Sequence, residues 1–173
     1  MNIVKATRRY EQWLGKTIRL IPADLDRKLA AMAADSFSFL RATFYRWMQL
    51  WMELCQECIQ APEVLAVGDL HVENFGTWRD IEGRLVWGIN DFDEVWRLPY
   101  TVDLVRLAAS AHVAIKGAHL AITAKDACDA ILAGYEEGLT TGGKAFVLEE
   151  HHPWLRAMVM VSSQGCRKPS PSR

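Results

Sequence analysis

The spacing of apolar residues changes near the middle of this chain, and the position of that change limits the folds available to it. Before Pro62, large apolar side chains recur every three or four residues, which is helical spacing. After Pro62 come a short apolar run, Val64–Val67, and two strand-like segments around a turn that ends at Gly83. Helical spacing returns after Pro99. We therefore predict a mostly helical α+β chain with a small β-region at its centre.

The predicted helices share a stripe of apolar residues on one face. They cover residues 10–34 with a break at Pro22 and Asp24, 37–58 with Ser36 as the cap, 101–116, Thr123 to about Gly138 with Thr123 as the cap, and 149–161. The β-region is predicted as a strand at 64–67 and a hairpin formed by residues 75–79 and 84–89. We predict one domain over residues 1–161 and a frayed tail over 162–173, which is rich in Ser, Pro and basic residues.

Composition narrows the class of protein. The chain has 173 residues, and its 20 Lys and Arg nearly balance its 21 Asp and Glu. A net charge of −1 provides no broad attraction to nucleic acid. No apolar run is long enough to span a bilayer, the N-terminus lacks the apolar core of a secretory signal, and four cysteines do not resemble a secreted disulfide scaffold. We predict a cytoplasmic protein with no membrane or nucleic-acid partner.

Polar residues that carry chemistry cluster in and after the β-region. Asp69 and Asn74 lie five residues apart in the loop after the first strand, and Asp91 follows the second strand of the hairpin. In phosphoryl-transfer enzymes of the kinase type, an Asp orients the attacking hydroxyl while an Asn and a second Asp bind Mg²⁺. We predict Asp69 as base or orienter, Asn74 and Asp91 as metal ligands, and Asp93 as an auxiliary ligand. His71 is a candidate for cofactor binding, alongside the alternative of a hydrogen bond to a loop carbonyl.

These segments resemble two related families. Residues 68–71 with Asn74 are similar to the catalytic loop of aminoglycoside phosphotransferases, and residues 89–92 are similar to their metal-binding strand end. The Pro-x-x-x-Asp-Leu segment at 99–104 is similar to the one that follows there, which implies that Asp103 braces the catalytic loop by accepting backbone N–H bonds. Residues 39–47, 68–76 and 90–94 resemble the hallmark segments of an uncharacterised bacterial family, domain of unknown function 2252.

That resemblance implies the larger, C-terminal lobe of a kinase-like fold, with Mg²⁺ and ATP as cofactors and a small hydroxyl-bearing substrate. Val67 stands where the superfamily usually has His, and Asp93 replaces the Gly of Asp-Phe-Gly. No Gly-rich phosphate loop followed by a strand Lys is found in the sequence. The chain therefore resembles a shortened member that keeps the metal-binding half, and a protein partner that completes the nucleotide lobe is expected.

Two other functions stay open at this point. The first is a non-enzymatic kinase-like binding module, which the missing phosphate loop favours. The second is a metallophosphoesterase, since Asp69-Leu70-His71 also fits the first Asp-x-His block of such enzymes. Their downstream Gly-Asp-x-x-Asp and Gly-Asn-His blocks do not occur here, so this is the minor alternative.

Two further motifs are interpreted structurally. Residues 138–145 nearly match a phosphate-binding Walker loop, but Ala145 lacks the required hydroxyl and the segment follows a helix. We predict a helix C-cap with a Gly turn there. Cys55 and Cys58 form a Cys-x-x-Cys pair, but no second Cys or His pair has zinc-finger spacing, so structural thiols are expected.

Overall fold

The structure is a computed structural model that describes residues 2–164. Within that range the chain forms eight α-helices and five short strands. The helices are α1 (Ile3–Leu14), α2 (Pro22–Ala34), α3 (Ser36–Ala42), α4 (Phe44–Leu54), α5 (Thr101–Ala118), α6 (Ala124–Thr141), α7 (Leu148–His151) and α8 (Pro153–Gln164). The strands are β1 (Glu63–Ala66), β2 (Phe75–Arg79), β3 (Leu85–Ile89), β4 (Trp96–Pro99) and β5 (Phe146–Val147). The predicted α+β class is confirmed.

The chain divides into two compact units. The first comprises the chain up to Val72 together with Phe92–Gly134, and the second comprises Glu73–Asp91 and the chain from Tyr135 onward. The first unit contains α1–α5 and an antiparallel ribbon of β1 and β4. The second contains the antiparallel sheet β2-β3-β5 and the helices α7 and α8. The single domain predicted for residues 1–161 stays a prediction.

The first helix begins earlier than the sequence pattern predicts. α1 starts at Ile3 rather than near Tyr10, because the Asn2 side chain accepts a hydrogen bond from the Lys5 N–H and caps the helix. α1 packs on α4, where the Tyr10 and Tyr45 rings stack with centroids 4.2 Å apart. The two helices are thereby joined by aromatic contact.

The continuous helix predicted for residues 37–58 is wrong, because the chain breaks at Thr43 between α3 and α4. In an unbroken helix the Leu40 carbonyl would accept the N–H of the residue four positions later. Here it accepts the Thr43 N–H at 3.3 Å and a guanidinium N–H of Arg106 at 2.6 Å. A tertiary hydrogen bond thus replaces a helical one, and α4 begins as a separate helix after Thr43.

The cap of α3 also differs from the prediction. Asp35, not Ser36, is the N-cap, and its carboxylate accepts the Ser38 N–H at 2.8 Å. Asp and Ser are about equally good capping residues. Either Asp35 or Ser36 could therefore cap the helix on local grounds, and in the structure Asp35 does so.

The hairpin of the second unit agrees with the prediction. β2 and β3 pair from Phe75 opposite Ile89 to Arg79 opposite Leu85, and Gly83 in the turn has a φ of 79°. β5 was not predicted from the sequence. It has only two residues, and it pairs Val147 with Val86, both of them buried.

The later helices are largely as predicted. α5 covers 101–118, and the Thr123 hydroxyl accepts the Asp126 N–H at 3.1 Å, as expected of the cap of α6. α6 continues three residues past Gly138 and ends at the positive-φ pair Gly142-Gly143, which confirms a C-cap over the Walker-like segment.

The region predicted as one helix at 149–161 is divided into α7 and α8 at His152, since Pro153 cannot donate a backbone hydrogen bond into a preceding turn. Of the predicted tail, residues 162–164 form the last turn of α8, and 165–173 lie outside the described residues. Over residues 2–164, no helix combines the length and apolar character needed to cross a membrane.

Candidate functional site

The loop after β1 is held by one face of α5. Residues 67–72 form this loop, and its holding residues on α5 are Asp103, Arg106 and Ser110. Their spacing of three and then four residues places them on one side of a helix. All of these residues belong to the first unit. We call this arrangement the α5 clamp.

Asp103 forms the first contact of the α5 clamp. Its two carboxylate oxygens accept the backbone N–H groups of Val67 at 2.7 Å and Gly68 at 2.9 Å. This is the geometry that bracing of the loop requires. Burial raises the pKa of the Asp103 carboxyl, and the two backbone hydrogen bonds oppose that effect only in part.

Arg106 forms the second contact and is the largest fully buried side chain of the described residues, at 1% exposure. Its Nε donates to Asp69 Oδ1 at 2.9 Å, and its Nη2 donates both to that oxygen and to the Leu40 carbonyl. The guanidinium carbon also lies 5.5 Å from the centre of the Phe44 ring and 5.0 Å from that of Trp47. Burial lowers the pKa of Arg106, and the charge of Asp69 opposes that shift.

Ser110 forms the third contact. Its hydroxyl accepts the Val72 N–H at 3.0 Å and donates to the Leu107 carbonyl at 2.7 Å. Between these points the loop is buried: His71 is 4% exposed, and its ring meets the Phe37 ring edge-on at 5.8 Å. The loop therefore has three fixed points within six residues.

Gly68 allows a close approach that no other residue would. Its φ is 91°, and a Cβ at this position would lie 2.4 Å from the Glu94 carbonyl oxygen. The segment that carries Asp93 and Glu94 is thus packed directly against the loop. The same segment lines a cavity of about 310 Å³ beside Phe44, which Met48 and Trp96 also line.

The second unit positions Asn74 and Asp91 at the end of the hairpin. Asn74 is 4% exposed and directly precedes β2, and its carbonyl accepts the Asn90 N–H at 2.8 Å. The Asn90 side chain lies so close over Gly76 that a Cβ there would be 1.9 Å from its amide nitrogen. This contact brings the chain before β2 and the chain after β3 together, with Asp91 exposed.

The structure thus brings some predicted residues together within each unit. Asp69, His71, Asp93 and Asp103 lie in the first unit, and Asn74 and Asp91 lie in the second. Among residues 2–164, no three His, Cys, Asp or Glu side chains form a group that could hold a metal ion. The oxygen donors suited to Mg²⁺ at the hairpin end are the Asn74 amide and the Asp91 carboxylate. The catalytic and ligand roles stay predictions.

The sequence analysis did not predict that Arg106 and Ser110 contact the loop, although the sequence contains a signal for this role. Both lie at helical spacing from Asp103, a position that the sequence predicts as a brace. An arginine and a serine on the same face as a loop-bracing Asp are candidates for contacts with that loop.

The raised pKa of Asp103 makes a prediction about stability and pH. A folded-state pKa above the ordinary 3.8 means that the folded chain binds this proton more tightly than the unfolded chain. The stabilisation from protonation is complete below pH 3.8 and is lost as pH rises through the folded-state pKa. We expect the free energy of unfolding of the wild type, relative to that of Asp103→Asn, to fall between pH 3.8 and the folded-state pKa of Asp103. Above that pKa the difference should stay level up to pH 7.

Urea unfolding of both proteins, followed by tryptophan fluorescence at several pH values, measures this difference. The asparagine variant does not titrate at this position but keeps all the other carboxyl groups. The contributions of those groups therefore cancel in the difference between the two proteins. A relative stability that rises with pH across the same interval would contradict a raised pKa.

A protein-family model matches most of the chain. Residues 19–164 match the family described as "Uncharacterized protein conserved in bacteria (DUF2252)", and the chain belongs to this family. The match covers both the α5 clamp and the hairpin. No curated protein and no solved structure matches the chain.

Proposed function

We propose that this member of the uncharacterised bacterial family is a kinase-like phosphotransferase, which transfers a phosphoryl group from ATP to a small hydroxyl-bearing substrate with Mg²⁺. The observation that carries the proposal is the α5 clamp around Asp69. Phosphoryl transfer depends mainly on positioning and on stabilising negative charge. A loop with three fixed points suits the first requirement.

Asp69 is assigned the role of orienting the substrate hydroxyl. Arg106 donates to Asp69 Oδ1 from both Nε and Nη2, which anchors the carboxylate at that oxygen. A fixed carboxylate can align a hydroxyl without the entropy cost of ordering itself first. Arg106 and Asp103 act as positioning residues, because their contacts are with the loop.

Asn74 and Asp91 are assigned to Mg²⁺, which prefers hard oxygen ligands and keeps several waters. The Asn90–Asn74 hydrogen bond supports this assignment, since it joins the two ends of the hairpin from which both side chains extend. Asp93 is an auxiliary ligand in this proposal. When bound, Mg²⁺ would neutralise charge on the phosphate oxygens.

A kinase-like binding module is the second candidate, and one observation favours it. The Gly-rich segment at 138–145 ends α6 and does not connect a strand to a helix. The described residues therefore include no Gly-rich loop of the kind that covers ATP phosphates in kinases. In this alternative, Mg²⁺ or nucleotide binds without transfer, and a protein partner supplies the remaining contacts.

The test is calorimetric titration of the full chain with Mg²⁺, alone and with ATP. We expect Asp91→Ala to weaken Mg²⁺ binding by roughly tenfold or more, because it removes one of the two carboxylates assigned to the metal. Asp129→Asn is the matched control, as it removes an exposed carboxylate that pairs with Lys125 on α6. This control should bind Mg²⁺ like the wild type.

The outcomes separate the candidates. Mg²⁺-dependent ATP binding with phosphate transfer to added polyols or sugars supports the phosphotransferase. Binding without transfer in the presence of a wide substrate set supports the binding module. Equal Mg²⁺ binding by the wild type, Asp91→Ala and Asp129→Asn would rule out the metal site at the hairpin end.

A further inference from the structure

The Cys-x-x-Cys pair lies at the junction between α4 and β1, in a tight turn. Cys55 is the C-cap residue of α4, and the Cys58 N–H donates to the Cys55 carbonyl at 2.9 Å. A four-residue turn closed by this bond brings its first and last Cα atoms within about 7 Å. Disulfides need Cα atoms about 4.4–6.8 Å apart, so the backbone of this turn is suited to one.

The turn is anchored at both ends. The Cys55 N–H donates to the Trp51 carbonyl at 2.9 Å, and the Cys58 carbonyl accepts the Thr101 hydroxyl at 2.9 Å. Thr101 begins α5, the helix of the α5 clamp. Both thiols are free and half-buried, so they are in reach of a small reagent. The two cysteines are therefore held near each other by the folded chain.

We propose that Cys55 and Cys58 are a redox-modification site, at which a low-molecular-weight disulfide such as oxidised glutathione closes an intramolecular disulfide. One cysteine thiolate attacks the glutathione disulfide, forms a mixed disulfide and releases one glutathione thiolate. The second cysteine thiolate attacks the protein sulfur of that mixed disulfide and releases the other glutathione. Two protein thiols are oxidised, one glutathione disulfide is reduced, and the two thiol protons pass to the solvent or to the released thiolates.

The position of the pair separates this site from catalytic dithiols. In those, the attacking cysteine lies at a helix N-terminus, where the helix dipole stabilises the thiolate. Cys55 lies at a helix C-terminus, where the dipole has the opposite effect. Burial and the nearby Cys58 raise the pKa of the Cys55 thiol as well. The disulfide should therefore form slowly near pH 7 and faster as pH rises, which suits a modification site better than a catalyst.

The test treats the full chain with oxidised glutathione and maps its tryptic peptides without reduction. Both cysteines fall on one peptide, residues 47–79, because no Lys or Arg lies between Arg46 and Arg79. We expect this peptide to lose two hydrogen atoms, and to do so faster at pH 9 than at pH 7. Cys128→Ser, a change in α6 outside the turn, is the matched control and should behave like the wild type.

Two further measurements make the result decisive. In Cys58→Ser, the reaction should stop at one glutathione adduct on Cys55. In urea, where the turn is lost, closure should require roughly tenfold more oxidised glutathione, because the folded turn is preorganised. Glutathione on both cysteines of the wild type, a link from either to Cys128 or Cys166, or a peptide that stays reduced at pH 9 would overturn the proposal.

Discussion

Replacing Arg106 with methionine should lower the free energy of unfolding by about 3–5 kcal/mol, the cost of breaking a buried ion pair by removing one partner. Arg106 is 1% exposed and contacts the Asp69 carboxylate and the Leu40 carbonyl. Methionine retains much of the volume between the Phe44 and Trp47 rings. The loss therefore comes mainly from the hydrogen bonds of the guanidinium to the Asp69 carboxylate and the Leu40 carbonyl.

The matched control is Arg27→Met, which removes a guanidinium from an exposed ion pair with Asp24 on α2. Exposed pairs contribute about 0–1 kcal/mol, so this variant should unfold at nearly the wild-type urea concentration. Urea unfolding followed by circular dichroism at 222 nm gives both values. Similar losses in the two variants would mean that the buried pair contributes no more than a surface pair.

A double variant tests the mechanism. Arg106→Met combined with Asp69→Leu removes both charges and should be more stable than Arg106→Met alone, because the largely buried Asp69 carboxylate no longer lacks the guanidinium that offsets its charge. If the double variant is less stable than Arg106→Met, the loss of the guanidinium from the Asp69 carboxylate is not the cause of the destabilisation. This comparison concerns stability alone, since Asp69 is assigned to the reaction.

Gly68→Ala should be the second large effect, with a loss of roughly 3 kcal/mol or more in the free energy of unfolding. Two costs add at this position. The φ of 91° is strained for any residue with a side chain, and the added methyl group would lie 2.4 Å from the Glu94 carbonyl oxygen. The Glu94 backbone or the loop has to move, and either movement displaces the N–H groups that Asp103 accepts.

Gly83→Ala isolates the first of these costs. Gly83 has a φ of 79° in the hairpin turn, and no atom lies within 4 Å of the position of an added Cβ. We expect a loss of about 1 kcal/mol, the usual penalty for a side chain at positive φ. The difference between the two variants measures the close approach at the loop. Equal losses of unfolding free energy in the two variants would show that the Glu94 backbone moves away from the added methyl group without a measurable cost.

Much of the secondary structure was predictable, because caps, turns and apolar periods act over a few residues. The cap at Thr123, the turn at Gly83 and the helix end at Gly142 all follow from such local chemistry. The loop with Asp69 and the hairpin end with Asp91 were placed for the same reason. Residue types and spacing were enough to locate both.

Other features depend on residues far apart in the chain, and the sequence pattern did not reveal them. β4 pairs with β1 between residues 30 to 36 positions apart, and neither strand has an alternation that specifies its partner. The break at Thr43 depends on Arg106, whose hydrogen bond to Leu40 spans 66 positions. A pattern read along the chain cannot include a donor that arrives from another helix.

The candidate site shows the same division. Local sequence, through turn chemistry and apolar spacing, was sufficient to propose which carboxylates and amides carry the chemistry. Long-range packing chose the residues that hold them, because a buried guanidinium needs an acceptor wherever the fold places it. The contact between Arg106 and Asp69 is an example. α5 buries Arg106 against the loop, and the buried guanidinium then needs an acceptor, which Asp69 Oδ1 provides.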